Sequence, residues 1–372
     1  MKFYFFYLIR IFFSKISNIN KLSNYSIIFS TTLTVIFIVL TLSVTSGFRD
    51  NIVSKIIEID GFARIYPKDY NSKINIDSTF SNSNFRYLPF FEKQFVIRNK
   101  NKSDGVNLLA INDRDLLSNY IIEEDLKIDD GIYIGTILSQ NLNLNVGDIS
   151  FLINASNNNR KIQKIKIKGV FETNIPFYDE FCSFSINTYN QNLILFNESN
   201  YDGYVVVSND IYKSLSFLDD DYYIFTWEER HGEFVSWLYS YDIPIKILLF
   251  FVFLISVINN ISIFNIDLIN QSKNIFLLKS IGLSRFQIMK LFSLKNFVLN
   301  FISIFLGSLI SFILIHLELK YEYIKIPENI YFSDSLPVVF DYSFFAYPII
   351  IFSFFSILST LIFSFYKSRS SF

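Results

Sequence analysis

The chain has 372 residues, 51% of them apolar and only 18% charged, with a net charge of −1 at pH 7. That is too apolar for an ordinary soluble domain, and too close to neutral for a nucleic-acid binder working through a basic surface. A lone cysteine, Cys182, excludes an intramolecular disulfide, and no paired Cys/His spacing points to zinc. Ile, Asn, Phe, Tyr, Lys and Ser crowd out Ala, a skew that fits AT-rich coding, so an isolated Phe, Tyr or Asn carries little weight.

In chain order, residues 1–24 are aromatic with interspersed Lys2, Arg10, Lys15 and Lys21, which predicts an interfacial helix along the cytoplasmic leaflet. A first span follows at 25–47. It is too long, and its charged lead too extended, for a cleaved signal peptide. Further stretches at 246–267, 293–316 and 342–366, uncharged over 247–266, 297–315 and 342–366, are each about the 20 residues that a bilayer crossing needs. The lead, the 268–292 segment and the 367–372 tail are rich in Lys and Arg. The 317–341 loop instead carries Glu318, Glu322, Glu328, Asp334 and Asp341. Basic residues stay inside, so both termini are expected in the cytoplasm, with residues 48–245 and 317–341 outside. The fold class expected is therefore an α-helical four-span bundle with a large α+β extracytoplasmic domain inserted between spans 1 and 2.

Within 48–245, KIKIKGVF (164–171) alternates so that Ile165 and Ile167 share one face and lysines the other, as in a half-solvated strand. GTILSQNLNL (135–144) has helical spacing. NVGD (145–148) is a turn before the strand-like ISFLI, and the polar runs at 79–86 and 154–160 read as loops. No GxSxG, HExxH or metal cluster appears. The run Asp219, Asp220, Asp221 reads as a solvated loop, and His231 and His316 as ordinary polar side chains. The phosphate loop GxxxxGK[ST] is also missing. Any ATP and Mg must then be bound by another subunit, and this chain is expected to be non-catalytic, with no cofactor of its own.

The segment NQSKNIFLLKSIGLSRFQIMKLF (270–292) lies between two spans. In it Ile275, Leu278 and Ile281 fall at three-residue spacing, with Lys279, Gly282 and Arg285 among them. An apolar ridge flanked by cations suits a groove on a partner, and Gly282 suits a helix break or a close approach. Asn259, Asn260 and Asn265 in the second span are expected to glue the bundle rather than touch a substrate.

Several strings, in order, carry a family resemblance. They are FFSKISNIN (12–20), LSVTSGFRDNI (42–52), IYIGTILSQNLNLNVGD (132–148), KGVFETNIPFYDE (168–180), TWEERHGEFVSWL (226–238), FLLKSIGLSRFQIMKLF (276–292) and IPENIYFSDSLPV (326–338). Together they resemble permeases of the FtsX-like ABC superfamily, and within it the lipoprotein-releasing (Lol) permeases, over nearly the whole chain. The resemblance implies a multi-pass inner-membrane subunit that pairs with itself or a sister permease and with an ABC ATPase. It implies ATPase coupling through Asn274, Ile275, Leu278, Lys279, Gly282 and Arg285. It also implies a lipoprotein substrate drawn from membrane lipid by mechanotransmission, with a periplasmic lipoprotein chaperone as a further partner. Two departures stand out. Asn274 occupies a position where the family usually has glutamate, and the 154–162 loop is short where some relatives extend a chaperone-recruiting hairpin. The competing readings are a macrolide-exporter-like efflux permease, a regulator of a cell-wall hydrolase and a membrane-anchored sensor.

Overall fold

The computed structural model describes residues 18–68, 86–111, 113–128, 130–154, 162–186, 201–207, 222–327 and 333–354. The chain divides into two compact units. One comprises Met1–Arg49, Leu238–Lys325 and Ser335–Phe372, the other Asp50–Trp237 and Ile326–Asp334.

The first unit is helical. Helix α1 (Asn18–Asp60) supplies its residues up to Arg49, and α6 (Asp242–Asn270), α7 (Ser272–Ser280) and α8 (Arg285–Tyr321) follow later in the chain. Among the described residues, three helical stretches are long and apolar enough to cross a membrane: Leu22–Asp60, Gly232–Asn270 and Phe286–Tyr321. The fourth expected span is described only as the apolar helix α9, Tyr342–Phe354; residues 355–366 lie outside the described residues, as do 1–17 of the expected interfacial helix. The helices overrun the apolar windows read from sequence. Residues 18–24 are the first turns of α1, which continues past 47 to Asp60, and α8 begins at Arg285 rather than near 293. Hydropathy marks where a helix is apolar, whereas capping decides where it stops. α1 stops at Gly61, whose φ is +79°, and α8 stops at Glu322, whose φ is +47°.

Hydroxyls inside these helices bond back to their own backbone, as Thr34 Oγ1 does to the Ser30 carbonyl (2.9 Å) and Thr45 Oγ1 to Thr41 (2.7 Å). This satisfies polar groups where no water is at hand. α1 and α8 pack closely. Gly307 faces Val35 and the Thr32 carbonyl, and any Cβ there would sit 2.8 Å from the Val35 side chain. Val35, Val39, Ile304, Ile315 and Phe352 form the buried cluster around that approach. The segment after α8 returns to α1, where Ser43 Oγ donates to the Val339 carbonyl (2.6 Å) and Gly47 lies against the backbone of Pro337.

Among the described residues, the second unit is built on ten strands: β1 (Ala63–Pro67), β2 (Arg86–Asn99), β3 (Lys102–Ile111), β4 (Ile121–Glu124), β5 (Ile132–Gly135), β6 (Ile149–Asn154), β7 (Ile162–Phe171), β8 (Cys182–Ser185), β9 (Gly203–Val207) and β10 (Tyr222–Thr226). Their pairing closes a ring in the order β2, β3, β8, β5, β7, β6 and back to β2. β9, β1 and β10 extend from β2, and β4 from β7. Closing the ring removes unpaired edges from those six strands. Phe95, Ile97, Leu108, Ile132, Ile134, Leu152, Ile165 and Ile167 fill the ring, and Leu138 and Leu142 of α2 (Thr136–Leu142) join them. The alternation read in 164–171 holds: Ile165 and Ile167 are buried, Lys164 and Lys166 exposed. The helix expected at 135–144 is α2. The turn at 145–148 is also present, with Asp148 accepting from the Asn145 amide (2.9 Å). The run at 219–221 lies outside the described residues, as does nearly all of both polar loops.

Candidate functional site

The basic segment between the second and third long helices is a helix-turn-helix rather than one amphipathic helix. α7 ends in a Schellman turn. The Gly282 amide donates to the Lys279 carbonyl (2.9 Å), and the Leu283 amide to Leu278 (3.2 Å), around a glycine at φ +97°. That left-handed conformation is open to glycine and costs a residue with a Cβ. Ser284 then caps α8. Its hydroxyl accepts from the Gln287 amide (3.3 Å), and the Gln287 side chain accepts from the Ser284 amide (2.9 Å). IGLSRFQ is therefore a stop followed at once by a start.

The turn has an inside and an outside. Leu278 is 6% exposed and packs with Phe264, Ile288 and Phe292; Ile275, Leu268 and Leu283 pack against the same cluster. Outside, Phe276 (72%), Leu277 (57%), Ile281 (76%) and Phe286 (72%) present large apolar side chains. This corrects the expected ridge. Of Ile275, Leu278 and Ile281, only Ile281 faces out, because α7 spends its i, i+3 apolar positions on its own neighbours. Asn274 and Lys279 are half-buried, Gly282 is exposed and Arg285 opens α8.

Beneath the turn lies a feature the sequence reading missed. Asp267, near the end of α6, and Lys295, early in α8, form an ion pair (2.8 Å) at 2% and 1% exposure. Gln271 Nε2 donates to the other oxygen of Asp267 (2.9 Å). The available signal was two opposite charges placed symmetrically about the turn, at the margins of uncharged spans. Deeper along α8, Asn300 Oδ1 accepts from Asn260 Nδ2 (2.5 Å) and from Thr31 Oγ1 (3.2 Å), joining α6, α8 and α1. Asn260 is thus bundle glue as expected, whereas Asn259 is exposed and Asn265 half-buried.

The second unit holds its own charged cluster. Asp60, at the end of α1, is approached by Arg64 of β1, by Arg230 (2.5 Å) and by His231 (2.8 Å). A carboxylate can only accept, so His231 Nε2 carries the proton it donates to Asp60. Tyr178 Oη lies 3.1 Å from the same nitrogen. Arg64 also pairs with Glu92. Tyr178 belongs to α3 (Pro176–Phe181), and Arg230 ends α4 (Trp227–Arg230). Two of the family-like strings, KGVFETNIPFYDE and TWEERHGEFVSWL, therefore meet at His231, which in turn reaches the Asp60 carboxylate. Burial pushes the Tyr178 hydroxyl well up, with the Asp60 charge adding to it. Burial, seconded by Asp60, likewise raises the Cys182 thiol to about 12.

Residues 246–372 match the family described as FtsX-like permease C-terminal. That part of the chain is an FtsX-like permease domain. The chain is also 26% identical over 358 residues to the lipoprotein-releasing system transmembrane protein LolC of Buchnera aphidicola subsp. Schizaphis graminum (strain Sg), covering 90% of this chain and 88% of that protein. Such permeases are the non-catalytic membrane subunits of ABC transporters and work with a separate ATPase. The FtsX-like match contains α6 from residue 246 onward and α7 to α9, and so the whole of the turn just described.

Proposed function

We propose that the permease couples ATP hydrolysis by a partner ATPase to the release of lipoproteins from the outer leaflet of the inner membrane. The observation that carries this reading is the outward apolar face of Phe276, Leu277, Ile281 and Phe286 on a doubly capped turn. Four large apolar side chains on a basic turn fit a groove on a second protein better than they fit water. The Lol assignment draws its support from the similarity to a protein named for lipoprotein release over most of both chains.

In this reading the ATPase binds ATP and Mg, and its closure pushes the turn. Four spans, both termini in the cytoplasm, and a 48–245 domain outside complete the layout. Two permeases, identical or sister chains, pair around the substrate, and a periplasmic chaperone receives it. Of the residues expected to couple to the ATPase, Asn274, Lys279 and Arg285 supply polar contacts and Gly282 the shape of the turn, while Ile275 and Leu278 support it from within. Withdrawing acyl chains costs about 0.8 kcal/mol per CH₂, so extraction requires an external energy source, and ATP supplies it.

The test is affinity purification of the tagged chain in mild detergent, with identification of co-purifying proteins. A stoichiometric ATPase together with triacylated proteins, the ATPase being lost in Phe276→Asp/Ile281→Asp, is the expected result. An ATPase with an adaptor and no acylated protein replaces lipoprotein release by efflux. Absence of any ATPase removes the transporter reading.

A further inference from the structure

A charge inside a membrane bundle is costly, and one that persists there is held by a partner and has a task. Asp267 and Lys295 meet this description. They are among the least exposed charged residues of the described chain, and both carboxylate oxygens are engaged, one by Lys295 Nζ (2.8 Å) and one by Gln271 Nε2 (2.9 Å).

Their position is more informative than their burial. Asp267 precedes the docking turn and Lys295 follows it, so the pair closes a loop that contains all of α7 and both of its caps. Leu278, Ile288 and Phe292 lie within that loop and pack with Phe264, three residues before it. Apolar packing alone tolerates sliding, because dispersion has no direction. A hydrogen-bonded ion pair permits one register. Buried pairs are poor sources of stability compared with apolar replacements, and setting register is their best-attested use. One residue beyond Lys295, Asn296 is also buried and accepts from Asn300 Nδ2 through its carbonyl (3.0 Å); Asn300 in turn bonds to Asn260 and Thr31. The polar chain thus runs from the base of the turn into all three long helices.

We infer that Asp267 and Lys295 are positioning residues, a strut that makes the end of α6 and the start of α8 move as one body with α7. A push on the exposed apolar face then shifts both helices instead of bending the turn. The coupling half of this inference rests on the proposed docking of an ATPase at that face; the strut itself does not.

The experiment is hydrogen exchange with mass spectrometry on the full chain, alone and with its co-purified ATPase. In the chain alone, Asp267→Asn/Lys295→Met removes both charges together, and amides in 272–284 should exchange at least about tenfold faster. In the complex, the double variant should retain the ATPase. Trapping with Mg-ATP and vanadate should change exchange in 311–321 of the unaltered complex and should no longer do so in the double variant. Lys295→Arg, with Asp267 intact, should keep both behaviours of the unaltered protein, which a merely space-filling role does not predict. Gln271→Leu, which keeps the ion pair and loses only its second hydrogen bond, should give a smaller acceleration, about threefold, and serves if the double variant does not fold. Unchanged exchange in 272–284 in these variants overturns the strut. A vanadate response that survives in the double variant overturns its role in coupling. If the unaltered chain retains no ATPase, the docking proposal fails, while exchange in the chain alone still decides the strut.

Discussion

Among the described residues the protein holds two buried charged clusters, built on opposite plans. In the membrane unit one lysine faces one aspartate, with a single glutamine as support. In the other unit Asp60 is shared by Arg64, Arg230 and His231, and Arg64 is shared again with Glu92, which also accepts from Asn107 Nδ2 (2.6 Å). The first cluster is a minimal pair and the second a mesh. A mesh can lose a strand and keep its charges compensated; a pair cannot. Redundancy suits a domain that has to keep its shape, whereas a single directional contact suits a joint whose register matters.

The comparison predicts unequal responses to removal of one cation. Lys295→Met alone leaves Asp267 charged and buried, which should cost about 3–5 kcal/mol, read as a large fall in the unfolding temperature of the detergent-solubilised chain. Arg230→Met leaves Asp60 with Arg64 and His231 and should cost only about 1–2 kcal/mol. Equal losses from the two substitutions break the pair-versus-mesh distinction. At Gly282, φ +97° makes Gly282→Ala cost about 1 kcal/mol. Its sharper readout is weaker retention of the ATPase, since under the proposed function the glycine shapes the turn that the ATPase grips. The smallest effect is expected at Cys182. Its thiol, raised to about 12 by burial and then by the Asp60 charge, is protonated at pH 7–8, and only the thiolate attacks alkylating reagents. Iodoacetamide should leave it unmodified until the chain unfolds. Labelling of the native chain at neutral pH means that the surroundings of the mesh are open to solvent.

Much of the architecture was legible because its signals are local. Long uncharged runs mark membrane helices, and the alternation of Ile165 and Ile167 with lysines marks a strand with one wet face. Gly282 and Ser284 lie in IGLS where a helix stop and a helix start require them. The resemblance strings also have a spatial counterpart: Gly47 of the first-span string packs on Pro337 of the late loop. Legibility failed at the helix ends and at the docking ridge. Ile275, Leu278 and Ile281 share a spacing, and spacing groups residues on a face without saying whether that face is turned inward or outward. Leu278 is consumed by Phe264, Ile288 and Phe292, while Phe276, Leu277 and Phe286 carry the exposed surface.

Composition and order by themselves determined that this is a membrane protein with a mixed domain between its first two long helices, and that a basic turn follows the second. These properties are sums over neighbouring residues, and hydropathy and periodicity measure such sums directly. Only the tertiary structure decided that six strands close into a ring, that Asp267 finds Lys295 across the turn, and that two distant strings meet at His231 beside Asp60. Each depends on which segments become neighbours after folding. A buried charge reveals its partner only when the chain between them has been placed.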